Sequence, residues 1–138
     1  MSAKPDDLPD AAQHVHTATV PVRWGDLDAA GHVNNSCFFT YFEEARVNWL
    51  GTVLDGPLFT ESGPVLANAT CDFKQPLTHP ATLIIEVYAT PPGRSSMKTA
   101  YKAMLESSGT VVATGTAVLV WVSVATGEPV PVPDLGLR

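Results

Sequence analysis

The sequence predicts a single α+β domain in which one long helix is covered by an antiparallel sheet. Three observations lead to that class. The stretch NNSCFFTYFEEARVNWL places Phe38, Phe42, Ala45 and Trp49 at i, i+4, i+7 and i+11, which is one face of a helix. Phe39, Tyr41, Val47 and Leu50 add apolar groups on other faces, so this helix must be wrapped rather than laid on a surface. One β-branched run precedes it and four strand-like runs follow, the last three joined by short turns as antiparallel neighbours are. The 138 residues are one-domain sized, and 45% apolar side chains suffice for a core.

Taken in order, residues 1–13 (MSAKPDDLPDAAQ) offer little to bury and read as a disordered tail. Residues 14–24 (HVHTATVPVRW) read as a strand at or near an edge, since Pro21 cannot donate to a ladder. Asn34 or Asn35 is the expected N-cap of the helix and Gly51 its expected stop. Glu43 and Arg46 are spaced for an i,i+3 ion pair worth about 0.2–0.5 kcal/mol, with Glu43 expected to point inward. Residues 51–63 form a connector rich in Gly, Pro and Thr. PVLANATCDFK alternates Asn68, Thr70 and Asp72 against Ala67, Ala69, Cys71 and Phe73; the first set either lines a pocket or is a hydrated outer face. ATLIIEVYAT, SSMKTAYKAMLE and TVVATGTAVLVWVSVAT complete the strands, with Gly115 marking a bend or bulge in the last. Residues 14–128 thus make one domain, and the proline-rich residues 129–138 an extended tail. A single sheet has a second face and open edges, so pairing with another copy is expected.

Composition removes several classes. A net charge of −6 argues against a nucleic-acid partner, which would want a basic face. Arg94, Lys98 and Lys102 lie close enough in sequence to form a local basic patch for an anionic small ligand. Cys37 and Cys71 follow no disulfide spacing and read as reduced thiols of a cytoplasmic protein. The first residues have acids and prolines but no apolar run, so no signal peptide is expected. No stretch reaches the roughly 20 apolar residues of a membrane span, so no membrane partner is expected either.

The chemistry-bearing stretch is VRWGDLDAAGHVNNSCFF, beginning at Val22. Read alone, its Asp26 and Asp28 are turn formers. The longer run RWGDLDAAGHVNNSCFFTYFEEAR resembles the signature of hotdog-fold acyl-CoA thioesterases of the 4-hydroxybenzoyl-CoA thioesterase type. There a strand leads into a D-x-D-x-x-G-x-V segment and a long helix with an F-E-x-A-R-like run. CDFKQPL and GRSS continue the likeness, which covers roughly residues 16–128.

The resemblance implies a helix wrapped by a curved, mainly antiparallel five-stranded sheet. It also implies a homodimer with edges paired, often a homotetramer, hydrolysing acyl-CoA at the protomer interface with no cofactor beyond the CoA of the substrate. The family's catalytic acid falls on Asp28 and its carbonyl-polarising backbone N–H on Asn35. An aromatic residue is common at or just before that point in the family; here Asn34 and Asn35 stand there, a departure that bears on substrate choice. Asp26 stays a turn former.

The residues fit that reading physically. A helix N-terminus carries unpaired N–H groups and about half a positive charge. The first turn here has no acid, so its field is free to serve an oxyanion forming at a thioester carbonyl. Asp28 beside it can activate water or attack directly. Gly31 permits a sharp turn and close approach of a ligand. His32 is either a second acid–base group or a hydrogen-bonded loop histidine, and Asn34 is a cap. Arg94, Ser95 and Ser96 suit CoA phosphates, or simply form an ordinary hairpin tip. A Cys37–His32 nucleophile pair and a metal held by Asp26, Asp28 and His32 are weaker alternatives. The twelfth position from Asp26 is Cys37 rather than the Glu of a calcium loop, so no metal is expected. The competing functions are a non-catalytic acyl-CoA binding module, a hotdog hydratase or dehydratase, and a purely structural dimerisation module.

Overall fold

The structure, a computed structural model, describes residues 11–137. Most of the expected N-terminal tail lies outside the described residues, but Ala12 is buried and the first strand already begins at Gln13. The chain runs β1 (Gln13–Pro21), α1 (Asn35–Val53), β2 (Ser62–Phe73), β3 (Thr82–Ala89), β4 (Ser96–Leu105) and β5 (Val111–Ser123). The five strands form one antiparallel sheet in the order β1-β3-β4-β5-β2. This is the helix-and-wrapped-sheet architecture that the resemblance implies. No helix among the described residues is long and apolar enough to cross a membrane.

One of the two edges was expected from the sequence. Pro21 closes β1 at one edge, where its missing N–H is harmless. β2 forms the other edge and pairs with β5 along its whole length, with a register shift between Leu66 and Asn68. Ala69 lies on the helix side of β2. Asn68, Thr70 and Asp72 therefore take the outer face, where the Thr70 and Thr116 hydroxyls are hydrogen-bonded.

The helix buries Phe38, Tyr41, Phe42, Ala45, Arg46, Trp49 and Leu50 against the sheet. Each large apolar side chain so covered contributes about 1.5–3 kcal/mol. Phe42 stacks on Tyr101 of β4 with centroids 5.0 Å apart. Gly115 is what lets it do so: a Cβ there would lie 2.6 Å from the Phe42 ring and 2.7 Å from the Thr70 carbonyl oxygen. The expected bend or bulge at Gly115 is thus a seat for an aromatic ring, and no register shift occurs at that residue.

Two helix details differ from expectation. Gly51 does not stop α1, which runs to Val53 and closes with Leu54 N–H donating to the Leu50 carbonyl at 2.9 Å. Gly51 keeps a negative φ, and the left-handed glycine comes later, at Gly56. The ion pair between Arg46 and Glu43 is present at 3.8 Å, but it is Arg46 that is buried while Glu43 is 61% exposed. Arg46 reaches inward to the Tyr101 hydroxyl, which Thr99 also holds. The Arg46 stem lies along apolar surface and its charge is tolerated there because Tyr101 and Glu43 meet it, whereas the Glu43 carboxylate on the same turn stays in water.

The expected C-terminal tail is extended but not loose. Val122 bridges Pro129, Val130 N–H bonds the Trp121 carbonyl, Val132 N–H bonds the Arg94 carbonyl, and Leu135 is buried.

Candidate active site

The segment between β1 and α1 is a small hairpin with a rigid base. After Pro21, Val22 N–H donates to the Ala81 carbonyl at 2.9 Å. The chain then makes one 3-10 turn, Trp24–Asp26, so Trp24 leaves the strand expected for it and stands 76% exposed. Asp26 is 5% exposed. Its carboxylate accepts from Arg23 N–H at 3.0 Å, from the Arg23 guanidinium at 3.0 Å and from the Tyr41 hydroxyl at 2.7 Å. Its carbonyl accepts from Asn34 N–H at 2.9 Å and from the Cys37 thiol at 3.7 Å. Asp26 is therefore more than the turn former the sequence suggested: it joins the end of β1 to the first two turns of α1. Burial alone would raise its pKa. The bond from Tyr41, the Arg23 N–H and the Arg23 guanidinium outweigh that and hold it below the ordinary carboxylate value.

Beyond the base, Leu27 bridges Val33, and Val33 N–H is tied to the Leu77 carbonyl at 2.7 Å. Asp28 and His32 face each other across this bridge, with Asp28 N–H donating to the His32 carbonyl at 2.8 Å. Gly31 closes the tip with φ +81° and donates its N–H to the Asp28 carbonyl at 3.0 Å. Asp28 is exposed, and its Oδ1 accepts from Ala30 N–H at 2.9 Å and His32 N–H at 3.4 Å. Its Oδ2 has no partner among the described residues.

Asn34 caps the helix. Its side-chain oxygen accepts from Ser36 N–H at 3.0 Å and the Ser36 hydroxyl at 2.9 Å, and its carbonyl takes Cys37 N–H at 2.9 Å. Asn35 N–H has no acceptor among the described residues, and no acid occupies the first turn. One hairpin thus carries a surface carboxylate with a spare oxygen and leads into an unspent helix amide.

A family model described as thioesterase-like superfamily matches residues 22–135, which include this hairpin and the whole sheet beyond β1. The chain belongs to the thioesterase-like superfamily. It is similar in structure to a candidate thioesterase of Pseudomonas aeruginosa, 40% identical, covering 88% of this chain and 95% of that one with a TM-score of 0.80. A candidate acyl-CoA thioesterase of Xanthomonas campestris is 27% identical over 87% of this chain and all of its own, with a TM-score of 0.77. The Bacillus subtilis protein YsmA is 30% identical over 115 residues, 83% of this chain and 78% of its own length. As a superfamily member the chain is an enzyme of thioester hydrolysis.

Within this thioesterase-like domain the second set of expected contacts is remote from the first. Arg94, Ser95 and Ser96 lie where β4 begins: Ser96 pairs with Val120, and the Ser95 carbonyl accepts Trp121 N–H at 2.8 Å. The Asp28 hairpin docks at the other end of the strands, beside Leu77 and Ala81. The ten residues of β4, about 30 Å of strand, run from one end to the other. A single protomer therefore does not bring Arg94 and Asp28 together.

Cys37 is not an activated nucleophile. Burial and the Asp26 charge raise its thiol pKa, and its S–H is directed at a backbone carbonyl. The structure also shows a cavity of about 120 Å³ between α1 and the β2–β5 side of the sheet, walled by Phe39, Phe42, Leu66 and Ala69 with Glu43 and Arg46 at its polar side. The tie between Asp26 and Tyr41 was hidden from the sequence, because a contact across fifteen positions matches no helix or strand period.

Proposed function

We propose that this chain hydrolyses acyl-CoA thioesters, with Asp28 acting on the carbonyl carbon and Asn35 N–H holding the carbonyl oxygen. The observation that carries the reading is the unspent Asn35 N–H at an acid-free helix mouth, entered from a hairpin whose Asp28 keeps one oxygen free. In the general-base route, Asp28 takes a proton from water as its oxygen bonds the carbonyl carbon. Negative charge moves onto the carbonyl oxygen and is met by the helix amide. The C–S bond then breaks, CoA leaves as the thiol after taking up the proton, and a free carboxylic acid remains. In the nucleophilic route an Asp28 oxygen bonds the carbonyl carbon and the C–S bond breaks, so CoA leaves as thiolate; water then opens the mixed anhydride, restoring the Asp28 carboxylate, releasing the free acid and supplying the proton that the thiolate takes up.

A homodimer, and from it a tetramer, fits the same reading. The outer edge of β2 meets no other strand among the described residues, and β2 exposes Val65, Leu66 and Phe73 at 41%, 49% and 44%. Phe39 and Val47 of α1 are also exposed, at 38% and 42%. Long unpaired edges of this kind call for a partner. A partner protomer is also what could bring an Arg94, Ser95 and Ser96 set to an Asp28 site, with His32 and Gly31 bordering the thioester.

The test is thiol release across a panel of fatty, aryl and short hydroxylated acyl-CoA esters, with Asp28→Asn run in parallel. The variant should keep its fold and lose at least about a hundredfold in kcat. Turnover equal to wild type removes Asp28 from the chemistry.

A further inference from the structure

We infer that Asp26 is the positioning residue of this site: from its buried seat between Arg23 and Tyr41 it sets where the Asp28 tip stands relative to the Asn35 amide. This rests on the thioesterase reading above and adds a residue that acts only through Asp28.

Asp26 touches the elements on both sides of the site. Its carboxylate holds the end of β1 through Arg23 and the second turn of α1 through Tyr41. Its carbonyl holds Asn34 N–H, the residue immediately before the proposed oxyanion donor. The bond between Asp26 and Asn34 is thus the base of the hairpin, the Leu27–Val33 bridge is its next rung, and Asp28 is one step beyond. Asp28 can move relative to Asn35 only by bending this short ladder or by tilting its base. A tilt at the base is passed to the tip, and misplacing a reacting group by about 1 Å can cost about a hundredfold in rate.

The seat is matched to a carboxylate. Arg23 N–H and the Tyr41 hydroxyl share one oxygen and the Arg23 guanidinium takes the other, so an amide that keeps its oxygen for the first pair turns its NH2 toward the guanidinium. Asp26 itself is shielded from a substrate by its burial, so its influence on the reaction passes through geometry.

The experiment is a double-mutant cycle on kcat with the full-length protein. Asp26→Asn should lower kcat by about ten- to a hundredfold while KM for the acyl-CoA ester stays within about threefold. Placed in the Asp28→Asn background, the same substitution should change the residual rate by less than about twofold, because the group it positions is already gone. Tyr41→Phe removes one of the three donors and keeps the ring; it runs the same cycle should Asp26→Asn not fold. Equal rate losses in both backgrounds, or a rise in KM at constant kcat, would reduce Asp26 to a staple of the fold. No turnover by the wild-type chain on any ester overturns the thioesterase reading and this inference with it, whereas turnover with an additive cycle overturns only the role of Asp26.

Discussion

The base and the tip of the 22–34 hairpin carry the same acid two residues apart and treat it in opposite ways. At the base, Asp26 is 5% exposed and satisfied by three donors. At the tip, Asp28 is in water, takes two backbone N–H groups on one oxygen and leaves the other open. The difference teaches where stability and reactivity are kept. A carboxylate locked by strong partners holds a structure together but has nothing left to offer a substrate. One held by a single oxygen is oriented and still available.

Four experiments break or sharpen this contrast, beginning with the largest effect. Asp28→Asn should lower kcat by at least about a hundredfold while its Tm matches wild type. A Tm that falls with the rate would place the tip in the fold's support. Tyr41→Phe should lower stability as well as rate, costing about 1.5–3 kcal/mol because it removes a donor to a buried charge. Denaturant midpoints that coincide with wild type would show that Arg23 alone suffices for Asp26.

The pH dependence follows from the lowered pKa of Asp26. A carboxyl whose folded value lies below its unfolded one stabilises fully above the unfolded value, about 4, and loses that contribution as pH falls through the folded value. Thermal scans between about pH 5 and 2 should therefore fall more steeply for wild type than for Asp26→Asn; parallel curves would mean that the carboxylate gains nothing from its seat. Smallest in effect, Gly31→Ala should cost about 1 kcal/mol, since φ +81° suits glycine and the space around it is open. An unchanged Tm would show that the tip can relax to another turn.

Much of the fold was legible in the residues. The apolar spacing of Phe38, Phe42, Ala45 and Trp49 names the buried face of α1, and the edge position of β1 follows from Pro21. The helix end was misjudged at Gly51 because glycine stops a helix only where the chain needs a positive φ, and that need arises at Gly56. Glu43 and Arg46 were correctly paired and wrongly oriented, since spacing gives adjacency but not which partner the core will admit. In the candidate site, the motif pointed to Asp28 and Asn35, while Asp26 looked like one more loop acid. Its burial depends on Tyr41, and nothing near Asp26 in the chain announces that hydroxyl.

Local order determined which elements form and in what succession, though not every boundary: periodicity, turn residues and caps act within a few positions of the chain. What only the tertiary structure decided is how far apart things end up. Arg94 and Asp28 belong to one motif set yet stand at opposite ends of the strands, and Gly115 serves a ring from another element. Sheet order β1-β3-β4-β5-β2 places the first two strands of the chain at opposite edges. Such placements come from long-range packing, in which each side chain answers to neighbours that its own segment does not contain.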